Sequence, residues 1–405
     1  MGILSRNADY TIQGFIYQFN KTLLEILNDE DDAEITIEGI IEDIEIATAL
    51  TTRAIQCKYH EEQENFTLGN VYKPILQMME HYFDNPDKDI QYILYAHFPN
   101  KREGSNFEIN EEHIKTILQS RDQRFQRIIT KINGNVDVPG FLERFTLEFG
   151  ASLQVIIERI TESLERNGLP EEDIDTLFYP NAIQMIADLS ILHEAQQRVI
   201  RKSKLLEKLQ QIRKTAITRW TRSLRTLDKI LSSRRKQLKA NLDKNSRLRY
   251  LFLSQQSINN FNEEIVNFIS EFINKYHFKE VHDKTPLVCI DCSQEVFKEL
   301  RVRLHKKNIK YNDGLVTDEY FDKNKFLAGP VRAKIGKQFY TDFQVRLLRF
   351  DEKEIGILNE TKCDDFFLFT ETVPEFDFQD VNVEHINLNE INQIKFVMGM
   401  VDTYE

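Results

Sequence analysis

The order in which hydrophobic periodicity changes along the first hundred residues restricts the fold of this chain most tightly. Ile12, Phe15, Ile16, Phe19, Leu23, Leu24 and Leu27 recur at three- and four-residue spacing, which predicts an amphipathic helix over 11–27. The acidic run NDEDDAE ends it. ITIEGI, DIEIATA and RAIQCKY follow, short, Ile-rich and partly alternating, the pattern of a strand meander broken at Gly39 and at Thr51 and Thr52. LGNVYKPILQMMEHYF returns to helical spacing, with Pro74 expected near a first turn, where a missing N–H costs little. DIQYILYAHF then reads as a buried strand and PNKREGSN as a closing loop. Helix, three strands, helix, strand is the order of a compact α/β layer arrangement.

Beyond this, residues 110–192 read as mostly helical, with one strand at RFTLEFG and turns at NGN, VPG and NGLP. Leu209, Ile212, Ala216, Trp220, Leu224, Leu227 and Leu231 then predict one long amphipathic helix, followed by a second around NNFNEEIVNFISEFINKY. LVCIDCS, VRLLRF and DDFFLFT read as strands around a helix at QEVFKELRVRLHKKN, a separate C-terminal α/β domain. The expected organisation is an α/β domain over 1–105, a helical scaffold over 106–280 and a small α/β domain over 281–405.

At 405 residues the chain has room for two or three cores. No apolar run is long enough to span a membrane, the N-terminus lacks a signal-peptide pattern, and Arg6 stands where an N-myristoylation motif wants Ser or Thr. Four cysteines in so long a chain point to a reducing compartment, so a soluble cytoplasmic protein is expected. The net charge of −12 conceals a segregation. Residues 198–250 hold eighteen Lys or Arg against three acids, which is +15 and leaves −27 for the remainder. Arg219, Arg222, Arg225, Arg234, Arg235 and Lys236 of this stretch are candidates for DNA phosphate contacts; a solvated helix face, or docking on an acidic partner, accounts for the same charges.

Between the Ile and Ala runs, the sequence sets Asp43 at the start of one strand and Gln56-Cys57-Lys58 late in the next. Alternation puts Gln56 and Lys58 on one face and turns Cys57 to the other. Hydrolysis of a phosphodiester by metal-activated water needs oxygen ligands for a divalent ion and a cation for the developing charge. Asp43, the Gln56 side-chain oxygen and the Cys57 main-chain carbonyl can supply the ligands, and Lys58 the cation. Glu38 and Glu42 lie beside them as further metal candidates, provided the chain bends near Gly39. By spacing alone, a solvated sheet face with an Asp at a strand start explains these residues as well.

Helix, Asp opening one strand, Gln-x-Lys in the next, then helix and strand resembles the PD-(D/E)XK nuclease core. More narrowly, GFIYQFNKTLLEIL, IEGIIEDIEIA and AIQCKYHE resemble the double-stranded-DNA endonuclease domain of bacterial antiviral effectors in CBASS and Lamassu systems, over roughly residues 10–100. The resemblance implies a restriction-endonuclease-like fold, Mg²⁺ or Mn²⁺ as cofactor, double-stranded DNA as substrate, and Asp43, Gln56 and Lys58 as the catalytic set. It implicates Gln18 or Glu25 of the first helix as supporting residues. Gln rather than Glu at 56 removes one negative charge from the metal shell. It further implies control, since an unregulated nuclease would destroy its host's DNA. One route is docking on an SMC-like ATPase and a companion subunit, with activation by release or oligomerisation; the other is a C-terminal sensor for a cyclic oligonucleotide. Residues 285–405 are short for such a sensor, which favours docking. A decayed, non-catalytic DNA-binding or assembly subunit is the remaining alternative, and it would lack one of the three site residues.

Cys289 and Cys292 have the spacing of half a zinc site, with only Cys363, His282 and His305 to complete it, so core thiols are the expectation. Trp220 is expected in the core. No GxxxxGK[ST] loop is present, which excludes ATP hydrolysis by the P-loop route.

Overall fold

The computed structural model describes the chain except for residues 1, 31, 40–41, 49–50, 62, 64, 225, 278–283, 318–319, 336–337, 352–354 and 405, and gives the backbone alone for 2–10, 335, 338–339 and 355. It is an α/β protein in two units, Met1–Arg213 and Lys214–Glu405. Among the described residues no helix is long and apolar enough to cross a membrane.

The first unit is built on a six-stranded sheet of order β5-β4-β3-β2-β1-β6. Its strands are β1 (Glu34–Ile37), β2 (Ile44–Ala47), β3 (Thr52–Tyr59), β4 (Ile90–His97), β5 (Phe145–Phe149) and β6 (Val199–Ile200). The predicted meander is present: β1 and β2, then β2 and β3, pair antiparallel, with Ile44 opposite Ile55. β3, β4 and β5 run parallel, Gln56 beside Leu94 and Lys58 beside Ala96. Parallel neighbours need crossovers, and helix α2 (Tyr72–Asp84) is one of them. Pro74 sits in the first turn of α2, as its missing N–H predicts. α2 buries Ile75, Leu76, Met78, Met79 and Tyr82 on one sheet face, together with Ile114, Ile117, Ile128, Ile129, Ile132 and Phe141 from the short helices that follow. Each such side chain, fully buried, stabilises the fold by roughly 1.5–3 kcal/mol.

Helix α1 (Gly2–Asn28) covers the other face. It is buried on more than one side because the helices Leu153–Arg166 and Tyr179–Ser190 pack on it in turn. Polar groups in this layer are satisfied: Tyr179 donates to Asn20 Oδ1 at 2.8 Å, and Tyr17 donates to the Ala151 carbonyl at 2.9 Å. Two expectations are thereby corrected. The first α/β body does not end at 105, since β5 and β6 belong to its sheet. Nor do residues 110–192 form a separate subdomain, because their apolar stripes are divided between the two faces of that sheet.

The basic stretch is not one long helix. It contributes β6, the helix Lys202–Gln211, a short turn at Thr221–Ser223 and the helix Leu227–Leu242. The break follows from local competition: the Thr221 hydroxyl accepts the Thr218 N–H at 2.7 Å and donates back to the Thr218 carbonyl, satisfying main-chain groups outside a helix. Of the periodic residues, Leu209, Trp220, Leu224 and Leu231 are buried and Ile212, Ala216 and Leu227 half-buried, and this apolar surface is spent on separate segments.

The second unit begins well before 281. Its sheet joins β7 (Arg249–Ser254), β8 (Leu287–Asp291), β9 (Tyr311–Asn312), β12 (Val345–Arg349), β13 (Asp365–Phe369) and β14 (Asn382–His385) in the order β14-β13-β7-β8-β12-β9, all parallel. A separate hairpin, β10 (Arg332–Ile335) with β11 (Gln338–Thr341), lies in the same unit. The helix Phe261–Tyr276 links β7 to β8, so residues assigned to a scaffold are part of this fold. Of the two cysteines expected as core thiols, Cys289 belongs to its core and Cys292 is only half-buried; Cys363 also lies in the core, His305 is exposed and His282 lies outside the described residues.

Candidate functional site

β2 begins at Ile44, opposite Ile55, so β3 runs on beyond its ladder with β2, and among the described residues no further main-chain pairing continues that ladder. Asp43 fills the first free position: its Oδ2 accepts the Cys57 N–H at 2.8 Å. The N–H and C=O of a strand residue leave on the same side, so the Cys57 carbonyl faces the same way. One step beyond the last ladder pair, Asp43 stands across from Gln56, and alternation adds Lys58 to that face. The three residues that the sequence singled out therefore converge on one end of one sheet face, while the Cys57 thiol is buried on the opposite face, its pKa pushed well up by burial.

The turn from β1 to β2 is held by Glu38 N–H donating to the Asp43 carbonyl at 2.8 Å and by Gly39 N–H donating to the Glu42 carbonyl at 3.0 Å. Glu38 itself supplies the required bend, with φ of 48°, and Gly39 supplies the room: a Cβ there would meet Glu45 Oε1 at 2.1 Å. Gln18 of α1 donates to Glu38 Oε1 at 2.6 Å, which ties the first helix to the site through that carboxylate. Arg198, a residue that sequence reasoning missed, donates to the Glu38 carbonyl. Glu25 is a correction. It pairs with Lys21 at 2.6 Å and Arg53 at 3.6 Å, and Arg53 is three residues from Gln56, so Glu25 belongs to the opposite sheet face.

The electrostatics of the site are those of buried carboxyl groups with Lys58 as the cation acting on both. Glu42 is 7 % exposed, and burial, then the neighbouring Asp43 charge, push its pKa up to about 8, against a smaller opposing effect of Lys58. Burial likewise raises Asp43 to about 6, although Lys58 and the Cys57 N–H pull the other way. Gln56 is buried, and its Oε1 accepts no hydrogen bond among the described residues. An orphaned buried acceptor asks for an explanation. These observations fit a divalent cation: an unsatisfied amide oxygen, a main-chain carbonyl past the ladder with β2, and two carboxyl groups whose ionised forms a positive charge would favour. Among the described residues no three His, Cys, Asp or Glu side chains gather into a metal cluster, so the donor set depends on Gln56 and the carbonyl.

His60 follows in the same alternation two residues past Lys58. Its ring stacks on Phe98, with centroids 4.6 Å apart, and its Nε2 is buried with no partner among the described residues. The alternation of Gln56, Lys58 and His60 in QCKYH was the signal that could have found it.

The basic candidates differ in burial and pairing. Arg234 is buried and ion-paired with Glu384, which removes it from any DNA contact. Arg235 pairs with Asp402 at 2.9 Å and lies over Phe396, and Arg219 pairs with Glu371 at 3.6 Å. Arg222 is half-buried, Lys236 is exposed, and Arg225 lies outside the described residues. No protein-family model and no curated protein matches this chain.

Proposed function

We propose that the first unit is a metal-dependent DNA endonuclease with a PD-(D/E)XK-type core, acting as the effector of a bacterial antiviral defence system. The observation that carries this reading is the meeting of Asp43, Lys58 and a Gln56 Oε1 with no hydrogen-bond partner among the described residues, where β3 runs past its ladder with β2. Asp43, Gln56 and the Cys57 carbonyl would hold Mg²⁺ or Mn²⁺, with Glu42 adjoining; the ion supplies charge stabilisation and an acidified water. Asp43 is anchored through one oxygen by the Cys57 N–H. Lys58 has no ion pair or hydrogen bond among the described residues, so its ammonium is available to orient water and to offset charge on a phosphate. Glu38, braced by Gln18 and Arg198, holds the turn that presents Asp43.

The test is plasmid cleavage by the full chain with Mg²⁺, alone and with candidate partners, beside Lys58→Ala. Cleavage by wild type and loss in Lys58→Ala, without a change in melting temperature, is the expected result. Cleavage by both proteins, or by neither under any activating condition, removes the assignment.

Control through docking on an SMC-like ATPase and its companion remains the first reading of the second unit. One observation favours the alternative. The chain leaves β7 toward β8 on one side and β13 toward β14 on the other, a switch point of the kind at which open parallel sheets take small ligands. A cyclic oligonucleotide that raises the melting temperature of the chain would establish ligand control instead of docking.

A further inference from the structure

Resting on the nuclease reading, we propose that His60 is a further catalytic residue, accepting the proton of the attacking water beside Lys58. Lys58 is a cation and cannot take that proton while it offsets phosphate charge, so the pocket needs a neutral base. His60 is in the right place for one. It follows Gln56 and Lys58 in the same alternation, one residue past the end of β3 and beyond the ladder with β2. Its main-chain N–H donates to the His97 carbonyl at 3.1 Å and its ring lies flat on Phe98, with 17° between planes, so the imidazole has a fixed attitude. Phe98 is fully buried and braced edge-on by Phe66, which makes the platform rigid. On this platform the buried Nε2 has no partner among the described residues, and an unpartnered ring nitrogen held in a fixed position can act as a base in the tautomer that carries its proton on Nδ1.

The surroundings of the ring favour its neutral form. Burial lowers its pKa first, and Lys58 on β3 and His97 on β4 lower it further. From the flanking loop, Glu61 is engaged by the Tyr59 hydroxyl, and Lys101 lies over the Phe66 and Phe149 rings. In the proposed step the water O–H bond breaks and its proton goes to Nε2, while the water oxygen forms the new bond to phosphorus. The phosphorus–oxygen bond to the leaving deoxyribose breaks, its oxygen departs with the electron pair and takes a proton from solvent, and His60 returns its own proton to solvent.

The experiment compares the full chain with His60→Ala and His60→Phe, the latter keeping a flat ring on Phe98 without the nitrogens. With Mg²⁺ and plasmid under conditions where wild type cleaves, both variants should lose about a hundredfold or more in rate. The acidic limb of the pH–rate profile should lose the part due to His60 in both and keep that of the Asp43 and Glu42 carboxyls, and added imidazole should restore His60→Ala in part. Melting temperatures and an NMR titration of the wild-type imidazole, expected to fall below the free value, provide readouts independent of activity. Full activity in His60→Phe, or an unchanged acidic limb in either variant, overturns the role of His60 while leaving the nuclease reading intact. A wild type that never cleaves DNA overturns both.

Discussion

The buried carboxyl of Glu42 makes the stability of the first unit depend on pH in a predictable direction. Its pKa rises from an ordinary 4.5 to about 8 in the fold, mainly because burial strips water from the ionised form. A group of this kind binds more protons folded than unfolded, so its contribution is complete below about pH 4.5 and is lost as pH rises toward about 8. Each unit is about 1.4 kcal/mol, and between about pH 5 and pH 8 the unfolded chain ionises Glu42 almost fully while the folded chain is still losing its proton. The cost accumulated over that interval is roughly 3 kcal/mol. Glu42→Gln removes the titration and keeps the volume. Urea unfolding of both proteins should therefore show similar stabilities near pH 5 and a variant more stable by roughly 3 kcal/mol near pH 8. Mg²⁺ should narrow the gap at the higher pH, because a cation in the pocket favours the ionised carboxylate. A difference between the two proteins that stays flat within about 1 kcal/mol from pH 5 to pH 8 would refute the desolvation argument.

Other perturbations test the scaffold. Arg234→Ala should destabilise the second unit by roughly 1.5–3 kcal/mol, because Glu384 loses its buried partner on Oε2 and keeps only Lys214 and Asn382 on Oε1, and it should leave DNA affinity unchanged in a filter-binding assay. Gly150→Ala places a Cβ 2.5 Å from the Tyr95 ring and 2.6 Å from Tyr17 Oη, so a loss of roughly 1–3 kcal/mol is expected in thermal unfolding. Asn20→Ala strands the Tyr179 hydroxyl in the layer beneath α1 and should cost about 1–3 kcal/mol by the same measurement.

The sequence by itself determined the elements of the site region. Ile-rich alternation set β1, β2 and β3, the three-and-four spacing set α1 and α2, and the period of two put Gln56 and Lys58 on one face and Cys57 on the other. These are local consequences of side-chain stereochemistry, so one strand or one helix suffices to reveal them. Only the tertiary structure decided that Asp43 takes the Cys57 N–H, that Glu25 turns away to Lys21 and Arg53, and that β5 and β6 extend the first sheet. It also broke the long basic helix and buried Arg234 against Glu384. Such outcomes depend on which distant residues a side chain meets and how much water it loses on meeting them, and no spacing along the chain records either quantity.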